Sequence, residues 1–162
     1  MISLRCTHFA RALAVALLVA CACFAAPEGK PLVKWMDYAA ALEKAKTAPK
    51  LIFVDLYADW CIPCRAMDAT VYSDPSVASL LNNRFYAVKL DAESQDSIVC
   101  DGQKKTVKRC YFDVWELSVL PAFVLVAPKG LTILTVSDSM SPQEMKSLLL
   151  QFLFKEEEWI KR

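Results

Sequence analysis

Apolar side chains recur along the chain with two different periods, and the switches between them mark out the elements. From Trp35 to Lys46, the residues Trp35, Ala39, Leu42 and Ala45 fall at helical spacing, with Asp37 placed to cap the start and Pro49 to close the segment. Leu51 to Tyr57 (LIFVDLY) is instead a near-continuous apolar, β-branched and aromatic run, the pattern of a strand covered on both faces at the centre of an α/β sheet. Asp55 interrupts it. Cys61 to Thr70 reads as a helix with Pro63 tolerated in its first turn, and Asp74-Pro75 opens a further helix carrying Val77, Leu80 and Leu81. Phe85 to Leu90 reads as a second buried strand. Ala92 to Glu116 has no clean period and predicts a loop followed by a short basic helix near Lys104 to Tyr111. Ala122 to Ala127 and Thr132 to Val136 predict two strands joined by the hairpin signal Pro128-Lys129-Gly130, hence antiparallel. Ser141-Pro142-Gln143-Glu144 is a capping box, and Met145, Leu148, Leu149 and Phe152 line one face of the terminal helix it starts, with Glu156 to Glu158 as that helix's solvated end. The order predicts an α/β domain, a central mixed β-sheet flanked by helices on both faces.

The start of the chain has a different character. Arg5 and Arg11 precede an apolar run from Ala12 to Ala26, which is followed by the polar Pro27-Glu28-Gly29-Lys30, the order of a signal peptide. Residues 1–26 are therefore expected to direct export and residues 27–162 to form the domain, in the periplasm or another extracytoplasmic space. A retained signal anchor is the alternative to cleavage. Leu18-Val19-Ala20-Cys21 also resembles a bacterial lipobox, which would lipidate Cys21 and anchor the protein by lipid. Cleavage near Ala25 leaves four cysteines (Cys61, Cys64, Cys100 and Cys110), whereas cleavage at the lipobox leaves Cys23 unpaired.

Charge and histidine content narrow the chemistry. Without the leader, 17 basic residues stand against 18 acidic ones, and the short cluster Lys104, Lys105, Lys108, Arg109 reads as a solvated helix face, so no nucleic-acid partner is expected. The only histidine, His8, lies in the leader. The domain thus has no imidazole for a Ser-His or Cys-His nucleophile or for a histidine metal site, and Cys100 and Cys110 lack knuckle spacing, so no metal and no cofactor is implied. What remains is cysteine, carboxylate and lysine chemistry.

Trp60-Cys61-Ile62-Pro63-Cys64 follows the central strand directly, which puts Cys61 at a helix N-terminus, where free backbone N–H groups and the helix dipole favour an anion. Thiolate is the reactive form of cysteine, and CxxC placement of this kind lowers its pKa from about 8.5. Cys64, one turn on, can close a disulfide with Cys61 without moving the backbone. In an oxidising compartment Cys100 and Cys110 are expected to form a structural disulfide, with a second relay pair as the other reading. Trp60 and Trp115 read as packing rather than catalytic residues.

The segment from Phe53 to Arg65 (FVDLYADWCIPCR) resembles the active-site segment of the thioredoxin superfamily, and Val119-Leu120-Pro121 resembles its cis-proline segment. The Trp35 helix, the stretch from Val71 to Phe85 and Val88-Lys89-Leu90-Asp91 resemble exported thioredoxin-like proteins related to the C-terminal domain of the DsbD electron transporter. The resemblance implies a thioredoxin fold over about Trp35 to Leu153. It implies Cys61 as the attacking sulfur, Cys64 as the buried resolving thiol, Asp55 as a buried carboxylate of elevated pKa exchanging a proton with Cys64, and Lys89 as its neighbour. Pro121 would be the cis-proline, leaving the Leu120 backbone free to pair with an extended substrate held among Trp60, Ile62, Pro63 and Leu120. Ile62, Ala122 and Asp138-Ser139 depart from the common pattern around that groove, and the stretch holding Cys100 and Cys110 is longer than the usual connection, an insertion around residues 92–116.

The function expected from these readings is an extracytoplasmic thiol-disulfide oxidoreductase, with reduction of exported disulfide-bearing proteins favoured over oxidation and a membrane electron donor of the DsbD type as implied partner. It is expected to be a monomer. Two rivals stand beside it: a thioredoxin-fold binding module with an idle CxxC, and a dedicated reductant for cytochrome c maturation.

Overall fold

The computed structural model describes residues 32–161; the leader and its cleavage or lipidation site lie outside them. Asp37 caps helix α1 (Tyr38–Thr47) by accepting the Ala40 N–H. Strand β1 (Leu51–Tyr57) follows, then α2 (Ile62–Thr70), α3 (Pro75–Arg84) and β2 (Phe85–Asp91). After a long connecting segment come β5 (Ala122–Val126) and β6 (Thr132–Ser137), then α5 (Pro142–Phe154) and α6 (Glu156–Lys161). This segment, the stretch expected from the sequence to be an insertion, holds β3 (Ser97–Cys100), β4 (Gln103–Thr106), the short helix α4 (Val107–Arg109) and a π-helical turn, Cys110–Val114.

The four-stranded sheet runs β2-β1-β5-β6, with β1 and β2 parallel, β1 and β5 antiparallel, and β5 and β6 antiparallel as the hairpin signal predicts. Because side chains alternate across a strand, β1 feeds both cores. Ile52, Val54 and Leu56 face α1 and the insertion, with Tyr38, Ala41 and Trp115, while Leu51 and Phe53 face α2, α3 and α5, with Met67, Tyr72, Leu81 and Leu149. The same alternation sends Asp55 to the α2 side.

Three expectations need correction. The first helix starts after its Asp37 cap as expected, but its buried stripe is Tyr38, Ala41 and Ala45, with Leu42 partly buried and Ala39 exposed; Trp35 lies before the helix, where Met36 bridges to Val88 and extends the sheet, and packs edge-on against Tyr72 on the other face. In the stretch 92–116 the short basic helix expected near Lys104 to Tyr111 begins only at Val107, and what precedes it is not a loop. Its Lys104 and Lys105 lie on β4 of a hairpin that turns at Asp101 (φ 45°) and Gly102 (φ 75°). Only Gly takes such angles freely, and an Asp-Gly pair is a strong two-residue hairpin signal, present in the sequence and overlooked. Finally, Glu156 to Glu158 do not simply end α5: the chain breaks at Lys155 into α6, and the mostly covered Glu156 carboxylate accepts from Arg84 at 2.9 Å.

Hydrogen bonds pin the insertion against the sheet. Asp101 accepts both the Thr132 N–H (2.5 Å) and its hydroxyl (2.8 Å), and the buried Trp115 indole donates to that hydroxyl at 3.1 Å. A disulfide joins Cys100, at the end of β3, to Cys110, both fully buried.

Candidate active site

Strand β1 ends at Tyr57, and the chain turns through Ala58 and Asp59 so that Cys61 becomes the N-cap of α2. The turn is held by the Cys61 N–H on the Ala58 carbonyl (3.0 Å) and by the Arg65 guanidinium on the Asp59 carbonyl (2.6 Å). Cys61 Sγ accepts the Cys64 backbone N–H at 3.2 Å, so a backbone donor of the helix start points at the sulfur. Cys61 and Cys64 are joined in a disulfide with their Cα atoms 5.3 Å apart. Pro63 occupies the first turn of α2, where a missing N–H costs nothing.

In this oxidised form neither sulfur stands out in solvent: Cys61 is 1% exposed and Cys64 5%, with Tyr57 and Leu120 packed over them. Cys61 is therefore no more open than its partner, since the bond turns both sulfurs inward. Apolar side chains nevertheless surround the pair in the open, with Trp60 at 64%, Ile62 at 71% and Val119 at 61% exposed. Trp60 is thus not a packing residue; its indole N–H reaches out to Glu93 at 2.9 Å. Trp115 does pack, buried edge-on against Tyr38. The Leu120-Pro121 peptide bond is cis, and Leu120 packs, with Tyr57, against the cluster of Ala58, Cys61 and Cys64.

Beneath the turn lies a charge cluster. Asp55 is buried, the only charged residue among the described ones to be so. Its register partner on β2 is Lys89, whose ammonium lies 3.4 Å from Asp55 Oδ2 and makes a short contact with Asp68 Oδ1 on α2. The Tyr72 hydroxyl donates to Asp55 Oδ1 at 2.8 Å. Burial pushes the Asp55 carboxyl up to about 6, against the opposing pull of Lys89 and the Tyr72 hydrogen bond. The rings of Trp35, Tyr57 and Tyr72 stand 5.5, 5.0 and 5.7 Å from the Lys89 ammonium and shelter it. Asp68 sits four residues after Cys64, on the same face of α2, so the cluster and Cys64 share one side of that helix.

The sequence reading missed Asp68, Tyr72 and Glu93. The i, i+4 spacing from Cys64 to Asp68 was a legible signal; nothing local marks Tyr72 or Glu93, which are brought in by the folding of α2 and of the insertion.

A helix-start sulfur that can be a good nucleophile, a second sulfur one turn away, and a buried acid whose pKa is raised by burial to about 6 together permit one reaction above all, the exchange of a dithiol for a disulfide. On this sheet order that combination defines a thioredoxin-fold redox protein. The sequence model of the thioredoxin-like family matches residues 34–128, and the chain belongs to that family. It is 31% identical over 91 residues to thiol:disulfide interchange protein DsbD 1 of Pseudomonas aeruginosa, an alignment covering 56% of this chain and 14% of that protein. A shorter match to DsbD of Citrobacter koseri is 44% identical over 43 residues, covering 26% of this chain and 7% of the relative. The chain therefore spans only a small part of these relatives. Among solved structures, a thioredoxin from Thermus thermophilus superposes with a TM-score of 0.60 at 23% identity, covering 76% of this chain and 88% of that one. The C-terminal domain of Neisseria meningitidis DsbD in its oxidised form gives 0.54 at 21% identity, covering 74% and 98%. These two likenesses establish the fold.

Proposed function

We propose that the protein is an extracytoplasmic thiol-disulfide oxidoreductase that reduces disulfides in exported proteins through Cys61 and Cys64. The observation that carries this reading is the sulfur pair at the α2 N-terminus, directly after a central strand that buries a carboxylate whose pKa is raised by that burial to about 6. In the reduced protein the Cys61 thiolate attacks one sulfur of a substrate disulfide and releases the other as a thiolate. Cys64 then loses its proton to Asp55 and attacks Cys61 Sγ, which closes the Cys61–Cys64 disulfide and frees the second substrate sulfur. Two electrons pass to the substrate, whose sulfurs leave as thiolates and take protons from Asp55 and from water, and a reductant must return two electrons to the pair. The match to DsbD proteins supports a membrane electron donor of that type as the source.

Reduction is favoured because an anion in the strand that leads into the pair works against a second negative charge, on Cys64, beside the Cys61 thiolate that the helix start holds, and stabilisation of the reduced form is what makes a strong oxidant. Asp55, ionised at neutral pH, is that anion. Lys89 holds its position, and Pro121 with Leu120 borders the pair where an extended substrate would lie against Trp60, Ile62 and Pro63. The extracytoplasmic setting rests on the leader pattern of residues 1–26 and on the kinship to interchange proteins, with residues 27–162 as the exported domain and lipidation of Cys21 as one possible anchor. No helix among the described residues is long and apolar enough to cross a membrane.

The test is a Cys64→Ala variant incubated with a disulfide-bearing protein such as insulin. A mixed disulfide on Cys61 is expected; a domain that only binds traps nothing. The midpoint potential of the pair against glutathione then decides direction: a value below the glutathione couple supports a reductase, one well above it overturns that direction.

A further inference from the structure

Trp60 forms one side of a groove of about 280 Å³, and the insertion forms the other, contributing Glu93, Lys108 and Phe112, with Val119 and Leu120 at its end beside the sulfur pair. Phe112 is 49% exposed although its ring stands edge-on to the buried Tyr111, centroids 4.8 Å apart. An exposed ring whose back is braced and whose face is free is built for contact.

The charges of the insertion sort themselves around this groove. Lys105 and Arg109 are both held by Asp113, at 3.7 and 2.8 Å. Lys104 does not line the groove. Lys108 does, and it makes no ion pair with any described residue. Glu93, the acid on the wall, already gives a carboxylate oxygen to the Trp60 indole N–H. Among the residues that line the groove Lys108 is the one cation, and no described acid pairs with it, while the Glu93 carboxylate is held by the Trp60 indole.

The wall is also fixed in place. The Cys100–Cys110 disulfide ties the β3-β4 hairpin to the π-helical turn that carries Phe112, the Lys108 N–H donates to the Ser94 carbonyl at 3.1 Å, and the Val107 N–H donates to the Asp96 carbonyl at 2.9 Å. A surface held before its ligand arrives loses little freedom on binding.

We propose that Lys108 and Phe112 form a recognition subsite which selects, among disulfide-bearing chains, extended segments carrying an acidic side chain and an apolar one next to the cysteine under attack. The inference rests on the redox reading of Cys61 and Cys64 and adds a substrate class to it.

The experiment compares the reduced full chain acting on three substrates: a disulfide peptide with Glu beside an apolar flanking residue, the same peptide with Gln for Glu, and hydroxyethyl disulfide, which has no flanks. The Glu peptide is expected to show about a threefold to fivefold higher kcat/KM than the Gln peptide, expressed in KM and lost near 0.5 M salt. Lys108→Gln should abolish that preference and Lys108→Arg should keep it. Phe112→Ala should lower kcat/KM on both peptides about tenfold while hydroxyethyl disulfide is reduced at the unaltered rate. Equal rates on the two peptides in the parent protein, or a preference that survives Lys108→Gln, overturns the subsite. Failure of the parent protein to reduce hydroxyethyl disulfide would instead overturn the redox reading beneath it.

Discussion

The Tyr72 hydroxyl donates to Asp55 Oδ1 at 2.8 Å, across the interface between the end of α2 and the central strand. The bond favours the charged carboxylate, so Tyr72 works with Lys89 against the burial that raises the Asp55 pKa to about 6. Tyr72→Phe removes the donor and leaves the ring. The carboxyl should then titrate about one pH unit higher. The rising limb of a pH–rate profile for closure of the Cys61–Cys64 disulfide should shift to higher pH by the same amount, with the rate on its plateau little changed.

Asp55→Asn tests the acid itself. A carboxyl whose folded pKa lies above its unfolded one costs nothing below about pH 3.8, where both states hold the proton, and its cost grows as pH rises through 6. The Asn variant should be more stable than the parent at pH 7 by roughly 2 kcal/mol, with the gap closing towards pH 4 in denaturant titrations. Its resolution step should slow about a hundredfold, because Cys64 has lost the base that takes its proton. Slower exchange in a more stable protein separates a chemical role from a structural one.

What could be read beforehand follows from where the information sits. β1, the CxxC turn, the Asp74 and Ser141 caps and the Pro128-Lys129-Gly130 hairpin are each specified within a few residues, by period, by cap chemistry or by turn residues. The Asp37 cap marks the start of the first helix, but Trp35, at helical spacing from Ala39 and Leu42, stands outside its buried stripe, because the pairing of Met36 with Val88, 52 positions on, holds that stretch in the sheet. The insertion failed for another reason: β3 and β4 are short and mostly exposed, so they carry no apolar alternation, and only the Asp101-Gly102 turn announced them. Asp55 stood out as a lone acid in an apolar strand. Its partners Asp68 and Tyr72 come from another element and had no local signature beyond the spacing of Asp68 from Cys64.

The second disulfide closes a loop of 10 residues in sequence separation. Replacing Cys100 and Cys110 together by Ser should lower stability by about 2 to 3 kcal/mol in urea titrations, mostly by freeing the unfolded chain. Reduction of hydroxyethyl disulfide should persist, since neither sulfur belongs to the reacting pair in this account.

Tyr38 is buried against Trp115, and its hydroxyl has no hydrogen-bond partner among the described residues. Tyr38→Phe keeps the ring contact and removes the unpaired group. The variant should be as stable as the parent or more so, by up to about 1 kcal/mol in thermal or urea unfolding. A loss of stability would reveal a hydrogen bond that the hydroxyl makes in solution.

The most direct trial of the account is the pH dependence of alkylation in the fully reduced protein, with the modified cysteine identified by mass spectrometry. Cys61 should react first and fastest, with a midpoint below the ordinary cysteine range, as the Cys64 N–H on its sulfur and the α2 N-terminus require. A Cys61 inert at neutral pH, or outpaced there by Cys64, would contradict it.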